Sequence, residues 1–158
     1  MTIRLPLPFA LAFAAAASLT ALGSPPGIGS GSMTVAGKNA KIVSSAAFVD
    51  ASDEKKPLVL VLADRPLPAA GWKKVSEFSA WSHQNAFIGV AFHLDKDNAV
   101  YRCDVFDGTD FPTSASGLFD LKVERKAGAV SGSVKSNAAA AKLRHPIGLD
   151  ATFRADLK

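Results

Sequence analysis

The chain has a single cysteine in its 158 residues, Cys103, so no intrachain disulfide can form. A fold of this length without staples has to be held by its own buried core, and one domain can bury enough surface to do so. Histidine is scarce too. His83, His93 and His145 include no pair at i,i+2 or i,i+4 spacing, so no local zinc site is encoded, and neither a metal nor a cofactor is expected. The patterns G-x-S-x-G, G-x-x-x-x-G-K and H-E-x-x-H do not occur, which removes the common signatures of a nucleophile elbow, a phosphate loop and a zinc protease. The net charge of +4 is modest. Aromatic and basic residues do not interleave as a base-stacking platform requires, so no nucleic-acid partner is expected.

The first residues carry a different pattern. Met1–Arg4 holds one basic residue, and Leu5–Leu22 is apolar, alanine-rich and free of acidic residues. Ala21-Leu22-Gly23 fits a small-x-small cleavage site, and Ala15-Ala16-Ala17 offers a second one. The pattern predicts a secretory signal peptide over 1–23, with an uncleaved anchor helix as the alternative. No cysteine lies nearby, which excludes a lipid-modified N-terminal cysteine. After cleavage the protein would have no stable membrane span and would be periplasmic or secreted. Ser24–Ser32, SPPGIGSGS, has the composition of a flexible linker, which leaves 33–158 as a single β-rich domain.

That domain is organised around Lys56–Leu67. Leu58-Val59-Leu60-Val61-Leu62 is apolar at every position, so it reads as a central strand covered on both faces. Asp64-Arg65-Pro66 stops it. Before it, Met33–Ala36 and Ala40–Val49 read as strands around a Gly37-Lys38-Asn39 turn. Neither side of the second strand is clearly apolar, so its register is poorly specified. After it, Trp72–Gln84 is the helix candidate, with Trp72, Val75, Phe78 and Trp81 spread over a broad face and Asn85 as its C-terminal cap. Ile88, Val90, Phe92 and Leu94 alternate with Phe87, Gly89, Ala91 and His93. The return strand sets Ala99, Tyr101, Cys103 and Val105 against Val100, Arg102, Asp104 and Phe106. Three further strands follow, over Phe119–Glu124, Val130–Lys135 and Ile147–Lys158, each with clean period-two alternation. Ala138–Ala141 adds a helical turn. The pattern predicts a mainly β fold: an antiparallel meander of about eight strands, curled into a barrel or a two-layer sandwich, with one helix inserted after the third strand.

Candidate chemistry has to be weighed against structural roles. Asp104, Asp107 and Asp110 surround Gly108, but D-x-x-D-G-x-D is not the calcium-loop spacing and reads as an Asp/Gly turn. Cys103 sits on a face expected to be core, where a thiol is protonated and inert. Trp72, Phe78 and Trp81 would form a recognition surface if exposed and core if buried; the small Gly89 and Ala91 facing them favour burial. These three aromatics and His93 are the candidate ligand- or partner-binding residues. No catalytic residue is identified.

Three segments carry a resemblance: the Gly37-Lys38 hairpin, V-L-A-D-R-P-L-P at Val61–Pro68, and S-G-S-V at Ser131–Val134 with D-A-T-F-R-A at Asp150–Ala155. Together they resemble small exported bacterial proteins of unknown function, in which the corresponding segments look like G-K, L-T-D-x-P-L and a final strand with T-F. The resemblance implies an exported β-rich domain and brings no catalytic residues with it. This chain departs from it at Ala63, where threonine would be expected, and in the insert Ala138–Ala141. The reading that follows is an exported non-enzymatic domain binding a protein partner or a small apolar ligand. The alternatives are a hydrolase or isomerase with a site in or at the mouth of the barrel, and a structural protein of the envelope. An enzyme should show a cleft with converging titratable groups.

Overall fold

The computed structural model describes residues 27–109 and 111–157. The expected signal peptide and residues 24–26 lie outside the described residues, as does Asp110. The described chain runs β1 (Gly27–Val35), β2 (Lys38–Val49), β3 (Leu58–Ala63), α1 (Val75–Gln84), β4 (Ile88–Leu94), β5 (Val100–Asp107), β6 (Thr113–Ser114), β7 (Phe119–Lys126), β8 (Ala129–Ser136), α2 (Ala138–Ala141) and β9 (Gly148–Asp156). All nine strands join one antiparallel sheet in the order β6-β5-β4-β3-β2-β1-β9-β8-β7. The sheet curls into a half-barrel. Phe119 on β7 meets Phe92 on β4 edge-to-face across its inside, with ring centroids 5.6 Å apart. Among the described residues the strands form one sheet that does not close, since β7 and β6 are not paired to each other, in place of the expected barrel or two-layer sandwich. The ninth strand is the two-residue β6, in the stretch between β5 and β7 where the alternation predicts no strand.

All six residues of β3 are buried, and successive ones serve two different cores. Leu58, Leu60 and Leu62 face the inside of the curl, with Met33, Val90, Phe92, Val105, Leu149 and Phe153. Val59, Val61 and Ala63 face outward, under Trp72, Phe78, Phe87 and Phe106. This is the two-sided cover that an unbroken apolar strand requires.

The linker expected over 24–32 is corrected from Gly27 onward: Gly27–Ser32 are part of β1, paired to β2 on one side and β9 on the other. Glycine and serine serve here as small residues between closely packed backbones. A Cβ on Gly29 would lie 2.7 Å from the Ser44 carbonyl oxygen, and one on Gly31 would lie 2.2 Å from that of Asp150. A bulge between Ile28 and Gly31 adds a residue to β1.

Two further irregularities explain why alternation was unreadable in places. Ile42 and Ala47 of β2 both line the inner core, yet they are an odd number of residues apart, so β2 changes phase between them. Between them Ser44 and Ser45 are buried, and their hydroxyls donate to the Arg65 carbonyl and to the Arg154 carbonyl (2.9 Å) respectively. On β5, His93 pairs with Arg102 but Leu94 pairs with Val100. Tyr101 is the extra residue of that bulge and is 53% exposed, contrary to its expected place on the face of Cys103 and Val105. No helix among the described residues is long and apolar enough to cross a membrane.

Candidate functional site

Helix α1 positions the site. It begins at Val75 rather than Trp72, and Lys74 offers no side-chain cap. Glu77 in the first turn reaches back to accept from the Lys73 N–H at 2.8 Å. The Asn85 side-chain amide donates to the Trp81 carbonyl at 2.9 Å and closes the other end. The helix lies on the outer face of β3, β4 and β5, over Ala91, as the small residues there suggested. A Cβ on Gly89 would meet the Phe87 ring at 2.7 Å. Phe78 packs edge-on to Trp72 (5.0 Å) and Phe106 (5.7 Å), and Phe106 stacks on Phe87 at 4.5 Å.

Trp72 and Phe78, candidates for an exposed recognition surface, are therefore buried in the outer core, and Trp81 is half-buried against it. Their bulk fills the space above β3–β5. Of the sequence candidates, Phe78 and His93 line an opening; Trp72 does not.

That opening is a cleft of about 250 Å³ between α1 and the edge of the sheet. One wall is helical: Val75, Phe78, Ser79, Ser82 and His83. The other is Phe106 with Phe111 and Pro112 from the loop after β5. The floor is polar: His93, Arg102 and Asp104. The antiparallel register puts His93 opposite Arg102 and Asp104 one step diagonally away. His93 Nε2 lies 3.5 Å from Asp104 Oδ2, and Arg102 Nε donates to the same oxygen at 2.8 Å. His93 and Asp104 are buried, while the Arg102 side chain is half in solvent. Burial works to raise the Asp104 carboxyl. The hydrogen bond from His93 and the Arg102 guanidinium outweigh it, holding the group below the ordinary carboxylate range.

A second carboxylate lies near His93. Asp50 is buried at the end of β2, accepting from the Ser52 N–H at 3.0 Å and from its hydroxyl at 2.6 Å. Burial opposes its ionisation. The Ser52 bonds, the Val75 N–H at the start of α1 and the charge of His93 prevail, so its acidity is increased. An anion at a helix N-terminus is favoured by the helix dipole as well.

Other groups do not join the site. The Ser82 hydroxyl donates to the Ser79 carbonyl at 2.8 Å, turned into its own helix. Cys103 lies on the opposite face of β5, in the inner core, where burial pushes its thiol far above the ordinary value. Asp107 accepts from the Thr109 N–H and hydroxyl, as a turn residue does. His83 is exposed on the rim, its ring 6.0 Å from that of Phe111. His145 is exposed elsewhere. Among the described residues no group of three or more His, Cys, Asp or Glu is placed to hold a metal ion.

The sequence pattern singles out His93, but in it Arg102 is an ordinary strand residue and Asp104 belongs to a turn cluster. The signal was present in the alternation, which puts Arg102, Asp104 and Phe106 on one face and His93 on the facing one. What was missing was the register. Comparison of the chain with known protein families, with curated proteins and with solved structures finds no match in any of the three.

Proposed function

We propose that this protein is an exported, non-enzymatic binding domain whose cleft beside α1 takes a small ligand with an apolar body and one polar group. The observation that carries the reading is the composition of the cleft: aromatic walls from Phe78, Phe106 and Phe111 over a floor that offers His93, Arg102 and Asp104. Phe111 is 77% exposed, an unusual state for a large apolar side chain beside a concave opening. Mostly apolar walls with a few converging polar groups are what small-molecule sites share. A volume of about 250 Å³ suits a ligand of roughly one ring. Export rests on reading the N-terminal pattern as a secretory signal, and a periplasmic or secreted location follows from that reading.

Ligand-observed NMR against a panel of small aromatic acids, amides and phenols tests the reading. A binder should lose at least about tenfold in affinity in Phe111→Ala and in Arg102→Ala, given the usual worth of a buried aromatic face or a charged hydrogen bond. A panel with no hit at millimolar concentration, or hits indifferent to both substitutions, removes it.

A second reading, a hydrolase or isomerase using this cleft, is favoured by one observation: the buried His93–Asp104 contact, an arrangement that orients an imidazole for proton transfer. Against it, the Ser82 hydroxyl is committed to the Ser79 carbonyl rather than to His93. Turnover of ester or enolisable substrates that disappears in His93→Ala would establish this reading in place of the first.

A further inference from the structure

Among the described residues strand β7 is the long edge of the sheet, paired only to β8; the opposite end is β6, only two residues long. Its eight residues pair with β8 on one side only, and the N–H and C=O groups that alternate to the other side form a template for another strand. The outward residues of β7 are Asp120, Lys122, Glu124 and Lys126, all exposed, alternating with half-buried Phe119, Leu121 and Val123. Asp120 and Lys122 have no ion-pair partner among the described residues, and Lys135 across from Asp120 leans to Asp150 at 3.8 Å.

We propose that β7 pairs antiparallel with β7 of a second copy of this chain, about a twofold axis through Val123. Such an axis, perpendicular to the sheet, keeps each face continuous, so only registers that pair outward residues with outward residues are allowed. With Val123 on the axis, Lys122 stands opposite Glu124 of the second copy and Asp120 opposite its Lys126. By symmetry each pairing occurs twice, so all four outward positions meet opposite charge. On the other face Val123 meets Val123 and Leu121 meets Arg125. Moving the axis to Lys122 sets lysine against lysine and Asp120 against Glu124. Moving it to Leu121 keeps the Lys122–Asp120 pair but leaves Glu124 facing Leu118 and Lys126 beyond the strand, so two of the four outward charges lose their partner. The Val123 register is the one in which all four outward charges of β7 meet opposite charge, and cross-strand charge pairs are interactions that select register.

The test is sedimentation equilibrium on the purified protein and two charge reversals. The wild type should dimerise, more weakly as salt rises. Lys122→Glu and Glu124→Lys each convert two attractive pairs into repulsive ones, and each should weaken dimerisation by about tenfold or more. Mixed one to one, they should form a heterodimer, because glutamate at 122 and 124 of one variant then faces lysine at both positions of the other. Recovery in the mixture also shows that both variants are folded. A wild type that stays monomeric at every concentration, a single reversal that dimerises as well as wild type, or a mixture that fails to pair overturns the proposal.

Discussion

Strands β3 and β7 belong to one sheet and have nearly opposite surroundings. Every residue of β3 is buried, because the inner core covers one face and α1 with its aromatic neighbours covers the other. On β7 no residue is fully buried, and half-buried apolar residues alternate with exposed charges. The same division runs through the sheet. Near α1, β3 and β4 carry two cores, whereas β9 reads buried–exposed at each step with one face in water. The difference teaches where polar chemistry can be sheltered. Among the described residues the outer faces of β3 and β4 leave water beneath α1, and there His93, Asp104 and Asp50 are buried with partners. On the open side a charge stays solvated and serves solubility or association instead.

The largest expected way to break this contrast is to remove the cover. Trp72→Ala should destabilise by about 3–5 kcal/mol, as deletion of a large buried aromatic does. Val123→Ala on β7 should cost about 1 kcal/mol or less, since much of that side chain already touches water. Chemical denaturation of both variants reads the gap; equal losses would mean the outer core carries no more than the open face. Trp81→Ala, at a half-buried position, should fall between them.

Next comes the seam between the halves. Gly29→Val should cost about 3 kcal/mol, because its side chain has no room between β1 and the Ser44 backbone. A linker residue would tolerate the change without effect, so an unchanged melting temperature would restore the linker reading.

A buried charge sharpens the comparison through pH. The Asp104 carboxyl is depressed in the folded state, so its contribution is present above the unfolded value of about 4 and is lost as pH falls through the lower folded value. Asp104→Asn should cost about 2 kcal/mol at pH 7, leaving Arg102 and His93 without their anion. The gap between wild type and variant should close below about pH 4. Denaturation curves at pH 7 and pH 3 measure it, and a gap independent of pH would mean that Asp104 contributes by packing alone.

The smallest effect is a gain on the open side. Ala127 and Gly128 join β7 to β8 with φ of 46° and 77°, the two-residue hairpin turn that follows the twist of its strands. Alanine is strained at positive φ where asparagine is tolerated. Ala127→Asn should stabilise by about 0.5 kcal/mol. The Ala36-Gly37 turn has the same geometry and should respond alike, and thermal melts of both variants check it.

Much of the fold was legible in local pattern. Leu58–Leu62 announced two-sided cover, Phe119–Glu124 and Ile147–Leu157 announced half-buried strands, and Gly89 with Ala91 announced room for a bulky layer. The illegible parts share one cause. At Gly27–Gly31, Ile42–Ala47 and Tyr101 the chain contains a bulge or a change of phase, and period-two reasoning assumes neither. The site was half legible for the same reason: His93, Arg102 and Asp104 each had a readable face, but their contact depends on pairing between strands.

By itself, then, the sequence determined which residues turn inward along most strands, where the helix falls and that no disulfide holds the chain, because these depend on neighbours within a few residues or on composition. Tertiary structure alone decided that β9 pairs with β1 while β6 and β7 are left as the two edges of an open sheet, that a glycine- and serine-rich stretch is a strand, and that two buried carboxylates lie near one histidine. Those outcomes rest on contacts between residues tens of positions apart, where backbone spacing, register and burial of charge are settled together.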